Sequence, residues 1–214
     1  MVDVRTEAQK YGSLIGELIP QCVNMSTLER IVKLHPRGAI ADDAHLSMAR
    51  LSWMNKDENS MIRHLKAAFD SRFDPDYPVL KSYCSRNHAC IMLAEIYRKK
   101  GDYTLALDYY TKWSSKNGLT VGLEYFNYER EYRISECLVA LGQTDKALSS
   151  YILPYLCDQT VLSAYPGDTR MPEMAVSIYE KKGEIRKLLD LLRPYTQKQY
   201  YEMAKIAYEL AEKK

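Results

Sequence analysis

A chain of 214 residues with 46% hydrophobic and 27% charged residues can bury a core, which excludes a globally disordered protein. The 30 basic and 28 acidic residues leave a net charge of +2, without the basic excess typical of nucleic-acid-binding proteins, so no nucleic-acid partner is expected. Nine glycines and eight prolines are too few for a turn-rich all-β fold.

The cysteines and the hydropathy pattern indicate the cellular compartment in which the protein is expected. The five cysteines are scattered without a CxxC pair, which is typical of free thiols in a reducing compartment. No run of 18 apolar residues occurs, so no membrane span is predicted. Residues 1–10 lack the basic-then-apolar pattern of a secretory signal. We therefore expect a cytoplasmic protein, or a periplasmic one if a signal was removed ahead of Met1.

Apolar periodicity and capping signals predict an all-α chain of eleven helices. Capping boxes at Ser26 and Thr196 mark two helix starts, and Asp42-Asp43 is interpreted as a third cap. One domain is predicted, with an N-terminal helical pair at 1–36, four hairpins at 42–194 and a C-terminal capping helix at 195–214. In chain order the predicted helices span residues 4–19, 26–35, 42–55, 58–70, 79–100, 103–116, 121–141, 144–157, 170–182, 184–193 and 196–213.

A repeat runs through the middle of the chain. Gly101, Gly142 and Gly183 are spaced 41 residues apart, and each is placed to end a helix in a left-handed turn. In a looser fourth unit Asp57 is assigned the glycine position. Small or apolar residues follow each glycine at five and nine positions, where the two helices of a hairpin should touch. These pairs are Ala106 and Tyr110, Ala147 and Tyr151, and Leu188 and Leu192.

The unit around Gly101 carries a family resemblance. Leu93-Ala94-Glu95-Ile96-Tyr97, Gly101-Asp102-Tyr103, Ala106 and Tyr109-Tyr110 together resemble the tetratricopeptide repeat. The resemblance covers roughly residues 42–194 and implies a right-handed α-solenoid of antiparallel helix hairpins. The family's usual unit is shorter than 41 residues, so the helices or loops here are expected to be extended.

In this family the first helix of each hairpin lines the concave surface, where partners bind. The resemblance therefore implies a protein or peptide partner for this surface. The family's best-known ligand, an acidic chaperone tail, is disfavoured because it would meet Glu95, Glu129 and Glu136. A partner with basic and apolar residues fits better. The predicted partner-binding residues are His88, Ile91, Glu95, Arg98, Tyr125, Tyr132, Arg133, Glu136, Arg170 and Glu173.

No catalytic motif is present, so the chain is predicted not to be an enzyme and to need no cofactor. Cys84, His88 and Cys90 cannot all converge on one ion from a single helix, so no metal site is predicted. The run Glu129-Arg130-Glu131 is interpreted as a solvated helix face.

The expected function is a non-catalytic scaffold that binds a peptide or helix in its groove. Two alternatives stay open. One is a bacterial envelope-assembly factor of the repeat-lipoprotein type, because residues 34–51 look like the linkers between repeats in such proteins. The other is a regulatory module of a larger enzyme or signalling protein.

Overall fold

A computed structural model describes residues 24–34, 36, 39–70, 82–113, 123–157, 168–198 and 201–214. These residues form helices and turns without a strand, so the predicted all-α fold of antiparallel hairpins is confirmed for them. The predicted helix at 4–19 lies outside the described residues, and the handedness stays a prediction. The helices are α1 (Met25–Leu34), α2 (Ala39–Met54), α3 (Glu58–Asp70), α4 (Ser82–Lys99), α5 (Tyr103–Lys112), α6 (Leu123–Ala140), α7 (Thr144–Ala147), a π-helical turn (Leu148–Ile152), α8 (Leu153–Leu156), α9 (Arg170–Lys181), α10 (Ile185–Thr196) and α11 (Glu202–Glu212).

The three repeat glycines end α4, α6 and α9 as predicted. Gly101, Gly142 and Gly183 have φ of 78°, 74° and 68°, the left-handed region that only glycine enters freely. The amide after each glycine donates to a carbonyl five residues back, as Asp102 does to Tyr97 at 2.9 Å. A Cβ at these positions would meet nothing within 4 Å, so the requirement for glycine is conformational rather than steric.

The fourth unit uses the same turn without a glycine. Lys56 has φ of 60°, and the amide of Asp57 donates to the carbonyl of Ser52 at 2.9 Å. The assignment of Asp57 to the glycine position was therefore wrong by one residue. Asp57 instead caps α3, because its carboxylate accepts the amide of Ser60 at 3.0 Å. With Lys56 in the turn, the residues five and nine positions later are Met61 and Leu65, and both are buried.

The chain divides into two compact units, with the boundary between Ala89 and Cys90. In the first unit α2 packs against both α1 and α3, and a small core of Leu28, Ala44 and Met48 lies between α1 and α2. Two predicted helix starts differ here. Asn24 rather than Ser26 caps α1, since its side chain accepts the amide of Thr27 at 2.9 Å. The predicted Asp42-Asp43 cap is also wrong, because α2 begins at Ala39 and both residues lie inside it.

The second unit buries one continuous core that passes through all of its hairpins. Its members come from every described helix of the unit, which is the arrangement expected when each hairpin packs on its neighbours. The single-domain organisation and its internal boundaries stay a prediction. The core includes Ala94, Ala106, Tyr110, Tyr128, Leu138, Ala147, Ile152, Leu156, Met171, Leu188, Leu192, Ala204 and Ala207.

A π-helical turn changes the packing register of the middle hairpin. Between α7 and α8 the amide of Leu153 donates to the carbonyl of Leu148, five residues back instead of four. This turn inserts one residue ahead of Pro154, which has no amide hydrogen to donate. Tyr151 was predicted to be the core residue at this level, but Ile152 is fully buried there and Tyr151 is only half-buried.

The end of the chain also departs from the predicted boundaries. Helix α10 continues through Pro194 to Thr196, because a proline in an exposed last turn removes little hydrogen bonding. The Thr196 hydroxyl donates back to the carbonyl of Arg193 at 2.9 Å, so it does not open the next helix. Helix α11 begins at Glu202. No helix among the described residues is both long and apolar enough to cross a bilayer.

Ala106 and Ala147 test the hairpin crossings, because both are fully buried in the second core. Replacing either with leucine is expected to lower the free energy of unfolding by about 1–3 kcal/mol through overpacking. Urea unfolding measures the change, and Ala140→Leu on an exposed turn of α6 is the matched control. If both buried variants unfold at the same urea concentration as the parent, the helices of these hairpins do not cross at Ala106 and Ala147.

Candidate functional site

Three consecutive first helices bring charged residues together in the second unit. Residues spaced three or four apart share a helix face, which aligns Glu95 with Arg98 on α4 and also aligns the acidic and basic residues of α6. Asp168 precedes α9 and Arg170 is its first residue. We call this set the arginine–carboxylate network, and its members are Glu95, Arg98, Glu129, Arg133, Glu136, Asp168 and Arg170.

Glu95 is the more buried of the two network residues on α4, with 7% of its surface exposed. Its carboxylate accepts the hydroxyl of Tyr110 from α5 and a guanidinium hydrogen bond from Arg98 at 2.8 Å. Burial alone would raise the pKa of Glu95, but the hydrogen bond from Arg98 and the charge of Arg133 outweigh it and hold the pKa below its ordinary value. The carboxylate is therefore ionised at neutral pH.

Arg133 on α6 joins the carboxylates of two helices. Its Nε lies 3.0 Å from Glu129 and 3.4 Å from Glu95, and its Nη1 lies 2.8 Å from Glu136. Burial would lower the pKa of Arg133, yet the charges of Glu95 and Glu129 raise it. Arg98 adds a second link between α4 and α6, at 3.8 Å from Glu136.

Arg170 continues the network to the next hairpin. Its Nη1 lies 2.8 Å from Glu129 on α6, and its Nη2 lies 2.7 Å from Asp168. The guanidinium carbon stands 4.6 Å from the ring centroid of Tyr132 and 5.6 Å from that of Tyr128, within cation–π range. Burial would raise the pKa of Asp168, but hydrogen bonds from Arg170 lower it.

The structure brings six of the ten predicted partner-binding residues together. Glu95, Arg98, Tyr132, Arg133, Glu136 and Arg170 meet at this network. Their exposure differs sharply, since Glu95 is enclosed while Arg170 keeps 36% of its side chain exposed. Among the network's carboxylates Glu136 remains the most accessible, with 26% of its side chain exposed.

Three of the other four predicted residues have described side chains. Ile91 is buried and His88 is half-buried on α4. Glu173 on α9 is exposed and accepts the Thr169 hydroxyl at 2.7 Å. The side chain of Tyr125 lies outside the described residues.

Sequence reasoning missed three members of the site's surroundings. Tyr110 lies on the second helix of its hairpin, Tyr128 lies on a buried face of α6, and Asp168 lies in the loop before α9. None of the three was assigned to the binding surface. Glu129 was interpreted as part of a solvated face, which was wrong, because only 4% of its surface is exposed. The signal for Glu129 was available, since arginine stands four residues later at Arg133.

The residues considered for metal binding on α4 have other surroundings. The thiol of Cys90 donates to the carbonyl of Tyr109 at 2.9 Å, and the side chain of Cys84 lies outside the described residues. Within the described ranges no group of three or more histidine, cysteine or acidic side chains could hold an ion.

One comparison with known proteins found a match. A family model described as tetratricopeptide repeat matches residues 89–120. This stretch contains most of α4, the Gly101 turn and α5, so the resemblance predicted for that unit is confirmed. Neither the curated proteins nor the solved structures give a match to this chain.

Proposed function

We propose that this chain, an all-helical protein with a tetratricopeptide repeat, is a non-catalytic module that binds a protein partner along the first helices of its hairpins. A tetratricopeptide repeat suggests a protein–protein interaction module, and the family is typically non-catalytic. The partner segment is a peptide or helix that carries both basic and apolar side chains.

One observation carries the proposal on partner chemistry: every arginine of the network already has carboxylate partners. Arg98 lies near Glu95 and Glu136, and Arg170 lies near Glu129 and Asp168. An acidic ligand would have to displace these carboxylates, which costs the energy of each broken pair. The four carboxylates exceed the three arginines, so a basic ligand meets a favourable charge instead.

Apolar contact would come from the aromatic side of the network. Tyr132 is half-buried, donates its hydroxyl to Glu136 at 3.1 Å and stacks with Arg170. A tyrosine that is partly buried and partly exposed to solvent is a common anchor residue at binding surfaces. A lysine or arginine of the partner would then pair with Glu136 while a neighbouring apolar side chain covers the ring.

The test selects ligands without assuming a partner. A random peptide library is panned against the purified chain, and enriched peptides are labelled and measured by fluorescence anisotropy. We expect enrichment of lysine or arginine beside apolar residues. We also expect Tyr132→Ala and Glu136→Gln to weaken binding by about tenfold, as for residues at the centre of an interface.

Tyr151→Ala is the matched control, because Tyr151 is also half-buried but lies in the second helix of its hairpin. Binding to this variant should equal that of the parent. Enrichment of acidic peptides, or equal weakening by the control, would overturn the proposed surface.

A further inference from the structure

Two histidines face each other across the α2–α3 hairpin of the first unit. The Nδ1 atoms of His45 on α2 and His64 on α3 lie 3.4 Å apart. Their ring centroids are 5.6 Å apart at an interplanar angle of 28°. Because the nitrogens are closer together than the ring centres, the Nδ1 edges of the two rings are turned toward each other. Both side chains are half-buried, so neighbouring residues restrict the orientation of the two rings while part of each ring remains accessible to solvent.

This spacing suits a shared metal ion. Zinc–imidazole bonds are about 2.0–2.1 Å long, and two of them at a tetrahedral angle separate the nitrogens by about 3.3–3.4 Å. The observed Nδ1–Nδ1 distance of 3.4 Å matches that separation. Each imidazole sits on a separate helix that is held in one hairpin, so little conformational freedom would be lost on chelation.

The electrostatic surroundings favour the neutral imidazoles that metals require. Burial lowers the pKa of His45, and the neighbouring His64 lowers it further. Burial lowers the pKa of His64, and the positive charge of Arg63 lowers it further. The negative charges of Glu29 on α1 and of Asp57 raise it, but the net shift is downward. Both rings are therefore mainly neutral at pH 7. In the free pair one Nδ1 donates a hydrogen bond to the other, and a bound ion would replace that hydrogen once the donor ring moves its proton to Nε2.

We propose that His45 and His64 form a two-imidazole chelate for a single divalent transition-metal ion. Imidazole ligands suit zinc, nickel and copper rather than the oxygen-seeking magnesium or calcium. The two nitrogens occupy two coordination positions, and water or a small anion fills the others. A site with two protein ligands exchanges its ion readily, unlike a closed four-ligand structural site.

The experiment uses the untagged full chain and isothermal titration calorimetry with nickel chloride and, separately, zinc chloride. The parent is expected to bind nickel with a stoichiometry of one. His45→Gln and His64→Gln are each expected to lose this saturable binding. Magnesium chloride should give no binding heat, because that ion prefers oxygen ligands.

His88→Gln is the matched control, since His88 lies on α4, outside the α2–α3 hairpin. This variant should bind nickel like the parent. Circular dichroism without metal checks that each variant keeps its helix content, and the two separate glutamine variants guard against misfolding of either one. Nickel binding that survives in both His45→Gln and His64→Gln, or that is lost in His88→Gln, would overturn the proposal, as would absence of nickel binding by the parent.

Discussion

Replacing Arg133 with leucine is expected to lower the free energy of unfolding by about 3 kcal/mol, at the lower end of the range for breaking a buried ion pair. The variant leaves the carboxylates of Glu95 and Glu129 near each other without the guanidinium that separates them. Only 17% of the Arg133 side chain is exposed, so water replaces the lost charge poorly. Arg98 still contacts Glu95 and Arg170 still contacts Glu129, which is why a larger loss is not expected.

The measurement is urea unfolding followed by Trp113 fluorescence in a Trp53→Phe background, which confines the signal to the second unit. Arg193→Leu is the matched control, because its ion pair with Asp190 is well exposed on both sides. Exposed pairs contribute little, so this variant should stay within about 0.5 kcal/mol of the parent. A loss in Arg133→Leu no larger than in Arg193→Leu would show that the network does not stabilise the unit.

The π-helical turn predicts opposite outcomes for two adjacent residues. Ile152→Ala is expected to cost about 3 kcal/mol, because it removes a fully buried side chain and leaves a cavity. Tyr151→Ala is expected to cost at most about 1 kcal/mol, because the ring is only half-buried. The strict 41-residue repeat predicts the reverse order.

The two variants control for each other, since they change neighbouring positions of the same turn. Unfolding of each is measured against the parent by the same Trp113 signal. If Tyr151→Ala proves the more damaging of the two, the helix is regular at this point and the π-helical turn is absent.

Local signals in the sequence predicted most of the fold. Glycine is strongly favoured where φ is positive, so Gly101, Gly142 and Gly183 correctly indicated three helix ends. Lys56 takes the same left-handed conformation, but lysine carries no signal for it, and the turn was placed one residue late. The π-helical turn escaped prediction because a repeat spacing counts residues and not hydrogen bonds.

The candidate site was only partly predictable for a different reason. A spacing within one helix is enough to predict that Arg133 and Glu136 are neighbours, since residues three apart share a face. The contacts of Glu95 with Tyr110 and of Arg170 with Glu129 join separate segments of the chain. Their partners depend on how the segments pack, which no single-helix spacing encodes. The same holds for His45 and His64, which are 19 residues apart.

The arginine–carboxylate network has a consequence for how the second unit unfolds. In a repeat protein, cooperativity depends on the coupling energy between nearest-neighbour repeats. Here Arg133 bridges α4 and α6 and Arg170 bridges α6 and α9, so part of that coupling is ionic as well as apolar. Salt screens the more exposed pairs, such as that of Arg170 with Glu129, more than the enclosed ones around Arg133, and it does not screen apolar contacts. The unit should therefore unfold in a single sharp transition at low ionic strength and in a broader one as salt rises.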